Sequence, residues 1–150
     1  MALHKDWKEF IESLNSQGVE FIIVGALSVA YHAIPRTTGD IDFWYRPTPD
    51  NALRLEKAIQ QFGFGSLGLK AEDFLAPNRV VQFGRPPLRI DLINSLSGLS
   101  SEEVWASRIP SQLAGLPVHF LGREALVRNK KASGRPKDRI DLELLGESAD

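Results

Sequence analysis

Two aspartates separated by one apolar residue, Asp40-Ile41-Asp42, are the most chemically suggestive residues in this chain. Side chains alternate faces along a strand, so Asp40 and Asp42 project to one side and Ile41 to the other. Two carboxylates on one face repel each other unless a cation lies between them, and a hard divalent ion with oxygen ligands suits that place. The bland alternative is a surface strand carrying two solvated acids. Phe43-Trp44-Tyr45 follows directly and speaks against it, because this is a core strand whose beginning alone is polar. Fifteen residues before Asp40, Gly25-Ala26 is a turn of small residues that lets the backbone approach a ligand closely. The amides after it open a helix, whose positive end can hold phosphate. A phosphate cradle beside a metal-binding carboxylate pair is the minimum for phosphoryl or nucleotidyl transfer.

Other residues compete for a place beside this pair. Asp91 sits between Ile90 and Leu92 in an apolar strand, where a charge usually has a partner or a task. It reads either as an acid ion-paired with Arg89 or Arg85 or as a third carboxylate. Arg36 precedes Asp40 by four residues and either neutralises phosphate or pairs with Asp40. Thr37 and Thr38 offer hydroxyls, or stabilise the turn. The stretch Asn129 to Asp141, NKKASGRPKDRID, carries a dense set of basic residues. Its bland account is a basic loop between helices, with Lys137 and Asp141 paired at i, i+4. His32 on a short apolar helix, and Glu12 and Glu72 without chemical company, are left outside the site.

The elements that must position these groups follow from periodicity. Trp7, Phe10, Ile11 and Leu14 fall at helical spacing, which predicts an amphipathic helix over about residues 4–16 that stops at Gly18. Residues 19–24 read as a buried strand and 27–34 as a short helix ended by Pro35. The second strand spans 40–45, and Thr48 caps the next helix with Pro49 at its first position. Ala52, Leu55, Ile59 and Phe62 form its core face. Gly63 to Gly68 lacks the lysine of a phosphate-binding loop and reads as a flexible connection. Strands at 80–83 and 88–93 make a hairpin through residues 84–87. A serine-glycine loop spans 95–101, and Val104, Trp105 and Ile109 are expected to pack over the sheet edge. A last strand at 118–120 precedes a helix over 122–131, and Pro136 starts a final one. The expected architecture is α/β (α+β), a small mixed sheet of about four or five strands flanked by helices.

The turn, short helix and Asp-Ile-Asp strand resemble the nucleotidyltransferase superfamily (polymerase-β-like). The run Arg36-Thr37-Thr38-Gly39-Asp40-Ile41-Asp42 is most similar to the branch of abortive-infection nucleotidyltransferase toxins and their uncharacterised bacterial relatives. The resemblance covers Phe21 to Trp44, then Arg89-Ile90-Asp91 and Asn129 to Asp141. It implies a nucleotidyltransferase-like fold in which Asp40, Asp42 and Asp91 are catalytic and hold Mg2+ (or Mn2+). It also implies nucleotide contacts from Gly25, Ala26, Ser28, Arg36 and Lys130, the position at which the family's lysine meets the phosphates. Asp138 and Asp141, three apart on one helix face, could orient that lysine or Arg135. The family often has Gly-Gly or Gly-Ser at the turn, whereas here a serine comes only at Ser28. The expected reaction takes a nucleotidyl group from an NTP to an acceptor hydroxyl on RNA or tRNA, protein or a small molecule. A rival from another class is an inactive interaction subunit, for instance in a toxin–antitoxin pair. A phosphohydrolase using the same carboxylates is a third possibility.

Length and composition bound these readings. At 150 residues the chain is expected to be one domain with a substantial core. With no cysteine, disulfide frameworks and thiolate zinc sites are excluded. A formal net charge of −1 gives no overall pull toward nucleic acid, which leaves the 123–139 segment as the place for polyanion contact. The start has no apolar signal core and no run approaches the ~20 residues of a membrane span, so the expected location is the cytoplasm, without a membrane partner. A protein partner or a second copy is an open possibility.

Overall fold

A computed structural model describes residues 3–34, 38–85 and 88–148. Helix α1 (Lys5–Ser16) buries Trp7, Phe10, Ile11 and Leu14, the stripe expected from sequence. Gly18 ends it in the left-handed conformation (φ +68°), and the Val19 amide donates to the Leu14 carbonyl at 3.0 Å. Strand β1 (Phe21–Val24) runs straight into α2 (Gly25–His32), which begins two residues before the expected Leu27. Strand β2 (Asp40–Tyr45) leads to α3 (Pro49–Ile59), where the Thr48 hydroxyl accepts from the Asn51 amide. Residues 60–67 and 71–75 form short π and 3-10 turns, the second of which buries Phe74.

The hairpin of β3 (Val80–Arg85) and β4 (Leu88–Ile93) stands where the sequence put it. Val104 and Trp105 lie on α4 (Ser101–Ala106), with Trp105 6.3 Å from Trp44. The expected strand count is one or two short of the six observed. Ile109 does not lie over the sheet edge: it opens β5 (Ile109–Leu113), which pairs with β6 (Leu116–Phe120) through Ala114-Gly115, both at positive φ. Helices α5 (Arg123–Ser133) and α6 (Pro136–Leu144) complete the chain.

The sheet order is β3-β4-β2-β1-β6-β5. Strand β2 is parallel to β4 and β1 to β6, while the other neighbours are antiparallel, so the sheet is mixed. One face buries Ile41, Phe43 and Tyr45 against α1, α3 and Phe74; the other buries Trp44 and Ile22 against Val104 and residues of α5 and α6. Asn51 is fully buried and ties the two central strands: its side chain accepts from the Glu20 amide and donates to the Glu20 and Arg46 carbonyls. The alternation that buries Ile41 and Phe43 in the first core turns Asp40 and Asp42 to the face that α5 and α6 approach.

Candidate active site

The parallel register of β2 and β4 sets the carboxylates side by side: Asp40 is opposite Arg89 and Asp42 opposite Asp91. On the other flank Asp42 is opposite Val24, the last residue before Gly25. Asp40, Asp42, Asp91, Val24 and Gly25 line one cavity of ≈ 270 Å³ with Lys130, Arg135 and Lys137. Two strands at the centre of the sheet and one helical hairpin thus build a single cleft.

Asp42 is the most perturbed acid in it. Burial first, then a hydrogen bond with Asp91 and the charges of Asp91 and Asp40, push its carboxyl up to about 7, against a smaller opposing effect of Lys137. Asp91 has one oxygen, Oδ1, that is buried without a hydrogen-bond partner among the described residues. Asp40 accepts from Arg89 Nε at 3.1 Å, so Arg89 pairs with Asp40 and not with Asp91. Among the described residues no three acidic or imidazole groups form a ready-made ligand set for a metal ion. Two acids held together with an orphaned oxygen nevertheless fit a hard divalent cation, whose ligands are oxygens. Asp40 would join them by exchanging Arg89 for that cation.

Gly25 is required by geometry. Its φ is +68°, and a Cβ there would overlap the Asp42 carboxylate, with Cγ only 2.9 Å away. No side chain among the described residues caps the start of α2. Ala26 and Ser28 are buried and do not line the cavity, and the Ser28 hydroxyl has no hydrogen-bond partner among the described residues. Arg36 and Thr37 lie outside the described residues; the Thr38 hydroxyl bonds the Asp40 backbone in a turn.

The helical wall is built differently. Helix α5 ends at Gly134 in the left-handed region, Arg135 caps α6, and Pro136 occupies its first turn. Lys130 is only 4% exposed, and its ammonium lies 3.3 Å from Asp138 Oδ1 and 3.0 Å from Asp141 Oδ2, both carboxylates fully buried. Asp141 therefore joins Lys130, not Lys137 at i, i+4. Arg135 binds Asp138 through its amide, Nε and Nη2. Burial pushes the Asp138 carboxyl up, but the Arg135 hydrogen bonds and the Lys130 charge outweigh it and hold it at about 2. The loop before α4 fixes this wall: Asn129 donates to the Ser97 carbonyl, Arg128 to that of Gly98, and a Cβ on Gly98 would meet Ala132 at 2.7 Å. Arg89 and Lys137 entered the sequence reading only as ion-pair partners, Arg89 of Asp91 and Lys137 of Asp141, and the structure gives both another place. Their signal, an Arg two residues before Asp91 and a Lys just before Asp138, acquires meaning only from the register and the hairpin.

No family model and no curated protein matches the chain. Solved structures do. A Thermotoga maritima protein provisionally named a nucleotidyltransferase aligns at 13% identity with a TM-score of 0.58, over 91% of this chain and 88% of that one. ANT(2'')-Ia in complex with adenylyl-2''-tobramycin aligns at 14% identity and 0.59, over 93% and 84%. The solution structure of the same antibiotic-resistance factor gives 14% and 0.59, over 93% and 80%. No helix among the described residues is long and apolar enough to cross a membrane. The chain shares the fold of these structures, one of them provisionally named a nucleotidyltransferase: a mixed α/β sheet, six-stranded here, flanked by helices.

Proposed function

We propose that the protein is a divalent-cation-dependent nucleotidyltransferase, moving a nucleotidyl group from a nucleoside triphosphate to an acceptor hydroxyl. The observation that carries this reading is the Asp42–Asp91 pair, set side by side on parallel strands beneath the Gly25 turn and facing a basic helical hairpin. Asp40, Asp42 and Asp91 would hold Mg2+ or Mn2+. An ion bound there would offset the charge of the triphosphate and of the leaving pyrophosphate. The bond that forms joins the acceptor oxygen to the α-phosphorus; the bond that breaks releases pyrophosphate. Asp91, whose Oδ1 has no hydrogen-bond partner among the described residues, is the group we assign to receive the hydroxyl proton. The uncapped start of α2 offers amides to a phosphate, and Lys137 lines the facing wall as an exposed cation.

A small-molecule acceptor joins tRNA and protein as a candidate, because one structural neighbour is seen with an adenylylated tobramycin. The Arg89–Asp40 pair favours a second reading, since an internal cation already satisfies one of the three acids. In that case the protein is a cytoplasmic interaction subunit without turnover, as in a toxin–antitoxin pair. Incubation with each α-labelled NTP, Mg2+ and a cell lysate separates the two. Transfer of label to a macromolecule or small molecule by the wild type, and none by Asp42→Asn, supports the enzyme; no transfer with any NTP supports the subunit.

A further inference from the structure

The three cations that line the cavity are not equivalent, and their pairing assigns them different work. Lys130 is nearly inaccessible and lies between two fully buried carboxylates. The Arg135 guanidinium gives two hydrogen bonds to Asp138, beside a third from the Arg135 backbone amide. Together the two cations and two carboxylates cancel, so this cluster brings no net positive charge to an anionic ligand. Lys137 differs from both. It is exposed, it lines the cavity, and it has no hydrogen bond and no carboxylate within ion-pairing distance among the described residues.

Resting on the nucleotidyltransferase reading, we infer that Lys137 is the residue of the helical wall that contacts the polyphosphate, while Lys130 is a tether that positions it. Lys130 comes from the last turn of α5 and Asp138 and Asp141 from one face of α6, so their bonds close the helical hairpin across Gly134. Asp138 is the next residue after Lys137. Fixing Asp138 against Lys130 and Arg135 therefore fixes the backbone from which Lys137 projects. A buried ammonium held by two carboxylates could reach a phosphate only by leaving an acid unpaired in the interior, which is costly. An unpaired ammonium on the same wall needs no such exchange.

The test uses full-length protein and tripolyphosphate with Mn2+, a probe with no base to prefer, titrated by calorimetry. Lys137→Gln should weaken tripolyphosphate binding about tenfold or more, with the melting temperature and the affinity for Mn2+ alone preserved. Lys137→Arg should keep most of the binding. Lys130→Met alone should lower the melting temperature by on the order of 10 °C, which hides its effect on the ligand. The double variant Lys130→Met/Asp141→Leu removes one charge of each sign and leaves Arg135 with Asp138. It should regain most of that stability and bind the probe within about threefold of wild type. A well-folded double variant that loses tenfold, or a Lys137→Gln that loses nothing, overturns the inference while leaving the site a polyphosphate site. Wild type that binds Mn2+ but no tripolyphosphate overturns the nucleotidyltransferase reading itself, and this inference with it.

Discussion

The sheet side and the helical side of the cleft both carry aspartates, half-buried on the sheet and fully buried on α6, and their surroundings oppose each other. Asp138 and Asp141 on α6 are enclosed by Lys130 and Arg135, and the Asp138 carboxyl is held at about 2. Asp42 and Asp91 on the sheet have no cation within ion-pairing distance among the described residues, and the Asp42 carboxyl rises to about 7. A carboxylate with cations around it is scaffolding. A carboxylate facing another carboxylate stores repulsion that an incoming cation can relieve. Residue type is the same on both sides; the partners decide what it does.

The comparison breaks most visibly if the helical acids prove dispensable. Asp138→Ala leaves Lys130 and Arg135 without their shared partner, and removing one member of a buried pair costs about 3–5 kcal/mol. Thermal melting should show a fall on the order of 10 °C; an unchanged melting temperature would mean that the hairpin does not depend on the cluster.

Asp42→Asn should act in the opposite direction. Its carboxyl goes from the ordinary 3.8 to about 7 in the folded chain. The folded state therefore holds that proton more tightly than the unfolded one. The stability it contributes is complete below about pH 4 and is lost as pH rises to about 7. Asparagine has no such loss, so in metal-free buffer the variant should melt above wild type at pH 8 and the gap should close by pH 4. With ~1.4 kcal/mol per unit, the gain is at most a few kcal/mol. A lower melting temperature at pH 8 would make Asp42 a structural acid like Asp138.

Gly25→Ala should destabilise by roughly 1–3 kcal/mol, from the positive φ and the overlap with Asp42. Chemical denaturation in an Asp42→Ala background should recover the part due to overlap, since Oδ2 and Cγ are then gone. Equal cost in both backgrounds would assign the whole penalty to the backbone.

The smallest effect belongs to Arg89. Its pair with Asp40 is half exposed on both sides, so Arg89→Gln should change stability by less than about 1 kcal/mol. The same variant should raise the affinity for Mn2+ a few-fold, because Asp40 is freed. Weaker Mn2+ binding would mean that Arg89 supports the acids and does not compete for them.

Much of the sheet side was legible in the sequence because its information is local. Asp40 and Asp42 share a face by the period of a strand, and Gly25 announces the turn. Asp138 and Asp141 share a helix face by the same kind of counting, and Lys130 was a candidate for them to orient. What stayed hidden depends on register and long-range packing. Arg89 meets Asp40 because β2 and β4 align in parallel, which no residue between them announces. Lys137 gains its position only once Lys130 has closed the hairpin. Strand β5 was missed because Pro110, Ser111 and Gln112 give it little apolar pattern; its partner β6 and the Ala114-Gly115 turn make it a strand. Asn51 is a polar residue of a first helical turn, and its three bonds to Glu20, just before β1, and Arg46, just after β2, appear only when α3 is docked.

The contrast between the two sets of acids is tested most directly by titrating Mn2+ into wild type, Asp42→Asn, Asp91→Asn and Asp141→Asn under conditions where all four are folded. The account predicts binding by wild type and Asp141→Asn with similar affinity, and loss in Asp42→Asn and Asp91→Asn. Undiminished Mn2+ binding in both sheet variants, or loss in Asp141→Asn alone, would contradict it.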